Sequence, residues 1–318
     1  MIYELIMVFL ITFFGTALLN MLFRYLGKKG YMGNLYTNVR GGTPRAIGII
    51  PFIVISLFLP PGFNNLVLIM GICALIDDIV GRRKIGRLPI EIGQLVRGIG
   101  MLCVIGLGYP IIGFSSVLVA LFIQPINISD MQPGTTCSVV IIMSLFTILA
   151  MLMLGTAPMF EIPAYYTPLV LLVACLAYCP LDYMGKIMLG EVGNHSFAIA
   201  LGLSFYVLGG FFGTLILIIV TAFLIAYFRR YNLTRFLISN LRISNPTYGD
   251  LMTDVLTGGG LGDFLRKICF RNKQYTVKRP ILIILGFRRL LYNPYAPENV
   301  KYHLKDLDSK NSLRKYYF

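Results

Sequence analysis

The sequence predicts an all-α polytopic membrane protein, and three observations carry that prediction. Of 318 residues, 57% are hydrophobic and only 13% are charged, where soluble domains carry about 25% charged residues. Apolar runs long enough for a ~30 Å hydrocarbon layer recur along the chain. Once those runs are taken as spans, every Lys and Arg falls on one side.

The first run, 3–23, carries Glu4 at its front, has a long core and lacks a small-residue cleavage site. It reads as a spanning helix rather than a signal peptide. Further spans are expected at 46–60, 64–80, 92–109, 111–126, 138–157, 164–180, 195–209 and 211–228. That makes about nine transmembrane helices, or ten if residues 280–292 also cross. Several are short or contain Gly or Pro, which membrane helices tolerate when neighbours cover the freed backbone groups.

With the N-terminus outside, Arg24, Lys28, Lys29, Arg40, Arg45, Arg82, Arg83, Lys84, Arg87, Arg97, Lys186 and everything from Arg229 onward lie inside. All 28 Lys and Arg are then cytosolic, as the positive-inside rule requires. The expected organisation is a transmembrane catalytic domain, 1–228, followed by a basic cytosolic or interfacial region, 229–318, that completes a donor site. In that region the run Pro280 to Gly286, flanked by Lys278, Arg279, Arg288 and Arg289, is too short to span and has the character of an interfacial helix.

The net charge of +14 does not indicate nucleic acid, because the cations alternate with spans and so set topology. Such a surface attracts anionic lipid and phosphate instead. Six cysteines without a CxxC pair, and only two histidines, exclude a zinc site of the usual spacing. The cysteines read as small apolar fillers.

Only 14 acids are present, and five of them (Asp77, Asp78, Asp130, Asp182 and Glu191) fall at the inner mouths of spans. Ionisable groups there are costly and point to function. In Ile76-Asp77-Asp78-Ile79-Val80-Gly81 the adjacent carboxylates point ~100° apart on a helix, so one can face a metal or phosphate while the other meets a basic partner. Such carboxylates suit Mg²⁺ completed by water and phosphate oxygens. Asn127 and Asp130 are one helical turn apart, which reads either as a paired site or as a helix C-cap before the turn Gln132-Pro133-Gly134. In Lys186 to Asn194, Gly190 and Gly193 permit close backbone approach, Glu191 is a candidate metal ligand and Lys186 a phosphate contact. Asn194 is expected to cap the helix that follows. Residues 40–48, with glycines and the two arginines Arg40 and Arg45 at a helix start, read either as a phosphate-contact loop or as a topology-setting basic loop.

Taken in order, these motifs resemble the polyprenyl-phosphate N-acetylhexosamine-1-phosphate transferase family, which includes phospho-N-acetylmuramoyl-pentapeptide transferase and the polyprenyl-phosphate GlcNAc-1-phosphate transferases. Gly42-Thr43-Pro44-Arg45-Ala46-Ile47-Gly48 is similar to its basic Pro/Gly loop. Asp77-Asp78-Ile79-Val80-Gly81 is similar to its DDxxG motif, with Gln94 matching a glutamine on the next helix. Asn127 to Asp130 is similar to NxxDG, and Lys186 to Asn194 to its K-V-F-M-G-D-x-G-S motif. The likeness covers about residues 1–230.

The resemblance implies transfer of a sugar-1-phosphate from a nucleotide sugar, UDP-linked in the family, to polyprenyl phosphate. The sugar would be an N-acetylated amino sugar, with or without a peptide. The reaction would take place at the cytosolic face of the plasma membrane, in a monomer or a homodimer, for cell-wall or glycan synthesis. It implies Mg²⁺, or Mn²⁺ in its place, held by Glu191 and Asp77, with Asp77, Asp78 and Asp130 catalytic. Arg40, Thr43, Arg45, Arg87, Gln94, Asn127, Lys186, Asn194 and Asp263 would bind substrate. Three departures stand out: Glu191 replaces the usual aspartate, Pro133 replaces a second one, and the C-terminal loop lacks the family's histidine cluster. In place of the histidines runs Thr257 to Asp263, rich in glycine. A divergent branch follows, of which an archaeal pseudomurein-type enzyme is one form. The alternatives are a catalytically inactive lipid-phosphate-binding homologue or a transporter; inverted repeats and midplane acids, the usual marks of a transporter, are not evident.

Overall fold

The computed structural model describes residues 1–36, 42–81, 83, 91–258, 260–271, 273–297 and 299. Among them the chain is helical, with no strand beyond two isolated bridges, Tyr36 with Pro44 and Met159 with Ile162. It divides into two compact units, Met1–Thr221 and Ala222–Phe318.

The helices in order are α1 (Ile2–Lys28), α2 (Ile49–Phe58), α3 (Phe63–Val80), α4 (Ile92–Ile112), α5 (Ser115–Leu121), α6 (Ile123–Ser129), α7 (Thr135–Leu154), α8 (Tyr166–Tyr183) and α9 (Gly190–Phe228). Then come α10 (Arg230–Ser239), α11 (Tyr248–Thr257), α12 (Gly260–Phe270), α13 (Pro280–Ile284) and α14 (Phe287–Leu290). Six of them (α1, α3, α4, α7, α8 and α9) are long and apolar enough to cross a membrane. The segments 49–58 and 115–129 are apolar but shorter. α9 loses helical geometry at Gly209 and Gly210, where two spans are expected to meet. α13 and α14 have five and four residues, too few to cross a ~30 Å layer.

Burial sorts the long helices. The apolar stretch of α8 is 67% buried and that of α1 only 17%, so α8 is central and α1 peripheral. α1 turns Phe14, Leu18, Met21 and Leu22 outward, an exposed apolar face suited to lipid rather than water. The ends of these two helices are matched. Tyr166 Oη donates to Glu4 Oε2 at 3.2 Å, and at the other end Arg24 Nη2 donates to the Lys186 carbonyl at 2.7 Å. The two helices therefore run parallel.

At the Arg24 end, the side-chain amide of Asn34 donates to the carbonyls of Ile79 and Val80 at 3.0 and 3.1 Å. These are the last-turn carbonyls of α3, which have no partner within the helix. Asp182, at the end of α8, accepts from the Gly134 amide at 3.0 Å and from Cys137 Sγ at 3.3 Å. It thus holds the start of α7. This acid is a structural anchor, and Cys137 is a hydrogen-bond donor as well as an apolar filler.

The second unit has its own polar framework. Thr247 and Asp250 form a capping box at the start of α11, satisfying two amides reciprocally. Arg288 reaches Asp250 at 2.5 Å and also donates to the carbonyls of Ser244 and Asn245. Arg289, almost fully buried, pairs with Asp254 at 2.5 Å and lies 3.5 Å from Asp263. Arg266 pairs with Asp263 at 2.8 Å and donates to the carbonyls of Thr257 and Leu290. On α13, Ile281 and Ile284 are exposed.

Candidate active site

Three backbone hydrogen bonds bring two of the motifs together. The Met188 amide donates to the Pro44 carbonyl at 3.0 Å, the Ile47 amide to the Met188 carbonyl at 3.1 Å, and the Gly48 amide to the Leu189 carbonyl at 3.1 Å. The contact is so close that a Cβ at Gly48 would lie 2.5 Å from the Gly193 Cα. Gly190 has φ +71°, and a Cβ there would lie 2.7 Å from both Asp78 Oδ2 and the Ala46 Cα. Only glycine meets both conditions at once.

This junction presents Arg45 and Glu191 to the end of α3. Asp78 is fully buried; Arg45 Nε lies 3.0 Å from its Oδ1, and the Val192 amide donates to its Oδ2 at 3.0 Å. Asp78 therefore receives an amide of the first turn of α9, one of the donors a helix start leaves open, and ties α3 to α9. Arg45 also reaches Glu191 Oε1 at 3.5 Å. Burial works against the Arg45 guanidinium, but Asp78, Glu191, Asp77 and Asp130, in that order, outweigh it and raise its pKa. All four carboxylates are thus felt at one arginine.

Asp77 faces α4. Arg97 donates to its Oδ2 through Nη2 at 2.5 Å and Nε at 3.2 Å, and the same Nη2 lies 3.3 Å from Glu191 Oε2. His195, fully buried one turn along α9, places Nε2 3.2 Å from that oxygen. The cluster runs Asp77, Arg97, Glu191, Arg45, Asp78 without a gap. One turn along α9 from Glu191, Asn194 donates its side-chain amide to Asp130 Oδ2 at 2.9 Å. The chain of ion pairs joins four segments distant in sequence, and Asp130 brings a fifth beside it.

The expected site residues distribute unevenly. Asp77, Asp78, Glu191 and Arg45 are joined through ion pairs, Asn194 and Asp130 form a hydrogen-bonded pair beside them, and Thr43 is buried two residues before Arg45. Asn127 is half-buried one turn before Asp130, Gln94 is exposed in the first turn of α4, and the Lys186 side chain is exposed. Asp263 belongs to the second unit and pairs there with Arg266 and Arg289. Arg40 and Arg87 lie outside the described residues. One expectation is corrected: Asn194 does not cap a helix, because α9 begins at Gly190 and the Asn194 side chain is committed to Asp130.

Sequence reasoning missed two members. His195 stands four residues after Glu191, the spacing of helix neighbours, and that signal was available. Arg97 reads in the sequence only as a topology-setting cation; nothing in its spacing links it to Asp77 on another helix.

The side chains present suit a hard divalent cation. Asp77 and Glu191 supply carboxylate oxygens of the type Mg²⁺ takes, and Glu191 Oε2 is buried without a hydrogen bond. Asp77, Asp78 and Glu191 outnumber Arg45 and Arg97, leaving negative charge uncompensated. Among the described residues no three His, Cys, Asp or Glu side chains converge closely enough to hold a metal by themselves, so water and phosphate oxygens would complete its shell. No family model matches this sequence, and no curated protein matches it.

Proposed function

We propose that the protein is a Mg²⁺-dependent phosphoglycosyl transferase that moves a sugar-1-phosphate from a nucleotide sugar to polyprenyl phosphate. One observation carries the reading: carboxylates and arginines from four distant segments form a single network at one end of the helices. Charged clusters that are only partly buried are functional-site candidates.

In the reaction, an oxygen of the acceptor phosphate forms a bond to the phosphorus that carries the sugar. The bond from that phosphorus to the bridging oxygen of the donor diphosphate breaks, and nucleoside monophosphate leaves with that oxygen. Such chemistry needs positioning and charge neutralisation rather than covalent help. Asp77 and Glu191, with side chains 11% and 14% exposed, would hold Mg²⁺, which when bound neutralises the donor diphosphate. Arg45, 31% exposed, is a partner for a phosphate oxygen. Asp78, fully buried, positions Arg45 and α9 rather than touching substrate. Asp130 and Asn194 brace the same floor.

The reading includes a nine-span topology, made of the six long helices, the two shorter apolar segments and the division of α9 at Gly209 and Gly210. It puts the site at the cytosolic face of the plasma membrane. The second reading is a catalytically inactive phosphate-binding homologue, favoured by one observation: Arg97 already bridges Asp77 and Glu191. Purified protein with Mg²⁺, polyprenyl phosphate and a panel of nucleotide sugars separates the two. The transferase releases nucleoside monophosphate only when acceptor and Mg²⁺ are both present, and EDTA abolishes release. Release that persists in EDTA contradicts the metal-dependent reading, and silence across the panel favours the inactive one.

A further inference from the structure

We infer that Arg97 is a tethered cation, standing between the two acids suited to a divalent metal, that must move aside for metal to bind. The inference rests on the transferase reading above.

Three features of the contact argue against an ordinary structural ion pair. First, a single nitrogen, Nη2, meets two carboxylates from different helices, Asp77 at 2.5 Å and Glu191 at 3.3 Å. These are the two acids that suit Mg²⁺. Second, both acids keep part of their surface open, whereas Asp78, the structural anchor beside them, is fully buried. Third, Glu191 Oε2 has no hydrogen bond although it lies near both Arg97 and His195. Arg97 therefore compensates its charge without satisfying it, and a directly coordinated cation would do both.

α4 is built to bring the guanidinium there. Gly93 stands one turn before Arg97 on the same face, and its missing Cβ leaves the space that Asp77 Oδ1 fills. The carboxylate thus lies against α4 with Arg97 reaching around it. Tethering keeps Asp77 and Glu191 from repelling each other when no metal is bound. It also makes metal compete with a fixed positive charge, so loading favours the moment when a donor diphosphate is present to receive the freed guanidinium. Arginine matches phosphate oxygens as well as it matches carboxylates.

The test uses the full-length protein in detergent micelles or lipid nanodiscs. Mn²⁺ affinity is measured by electron paramagnetic resonance, and thermal unfolding is followed with and without Mg²⁺. Arg97→Gln is expected to bind Mn²⁺ about tenfold more tightly than wild type, a gain of about 1.4 kcal/mol. Arg97→Lys, which keeps the charge, is expected to stay near wild type. Without metal Arg97→Gln should melt at a lower temperature, and Mg²⁺ should restore it, because a ligand that binds only the folded state stabilises that state. A purely structural arginine would give a loss that Mg²⁺ does not restore. Equal Mn²⁺ binding by wild type and Arg97→Gln overturns the inference and leaves the transferase reading standing. No Mn²⁺ binding by either overturns both.

Discussion

The protein contains two arginine–carboxylate clusters of similar composition and different construction. In the second unit Arg266 and Arg288 divide their donors between carboxylates and backbone carbonyls. Arg289 and Asp254 are nearly sealed, with side chains 2% and 7% exposed. In the first unit the guanidinium contacts of Arg45 and Arg97 among the described residues are with carboxylates, and both guanidiniums remain partly open. An arginine that also ties down carbonyls is holding a fold. An arginine that only balances acids at an open edge is free to exchange those partners for a ligand. The same residue types therefore read as scaffold in one unit and as chemistry in the other.

The comparison can be broken most forcefully at Asp77. Asp77→Asn keeps the size of the side chain and removes its charge, and nucleoside monophosphate release should fall by about 10³-fold or more, about 4 kcal/mol of barrier, with little change in melting temperature. Arg289→Met should do the reverse. Breaking one side of a buried pair costs about 3–5 kcal/mol of stability, and Mg²⁺ should not restore it; a Mg²⁺-dependent recovery followed by thermal unfolding would erase the distinction between the clusters. Gly190→Ala is next. It forces a Cβ against Asp78 at a positive φ, which costs about 1–3 kcal/mol, and should impair folding and donor affinity together. Asp182→Asn should be mildest, about 1 kcal/mol from a weakened helix start, with activity per folded molecule unchanged.

The spans were legible because apolar length is a strong and local signal. The expected 64–80 corresponds to Phe63–Val80, and the expected parting of two helices after residue 209 corresponds to the non-helical Gly209 and Gly210. The start of α9 was not legible. Gly190 to Asn194 reads as loop by propensity, yet the amide received by Asp78 and the packing of Gly48 on Gly193 hold it as the first helical turn. That is tertiary contact overriding local preference. The acids of the site were legible from their scarcity and their places at span ends. The partner of Asp77 was not, because Arg97 is 20 residues away on a helix whose rotation the sequence does not specify. Asp182 shows the converse: its place among the inner acids suggested chemistry, and its contacts give it a capping role.

Both arginines and His195 converge on Glu191, which makes it the residue the proposed chemistry can least spare. The most direct measurement is acceptor- and Mg²⁺-dependent nucleoside monophosphate release by Glu191→Gln protein, counted per folded molecule. Release should be lost while the protein stays folded; release at the wild-type rate would show that Glu191 holds no metal in the reaction.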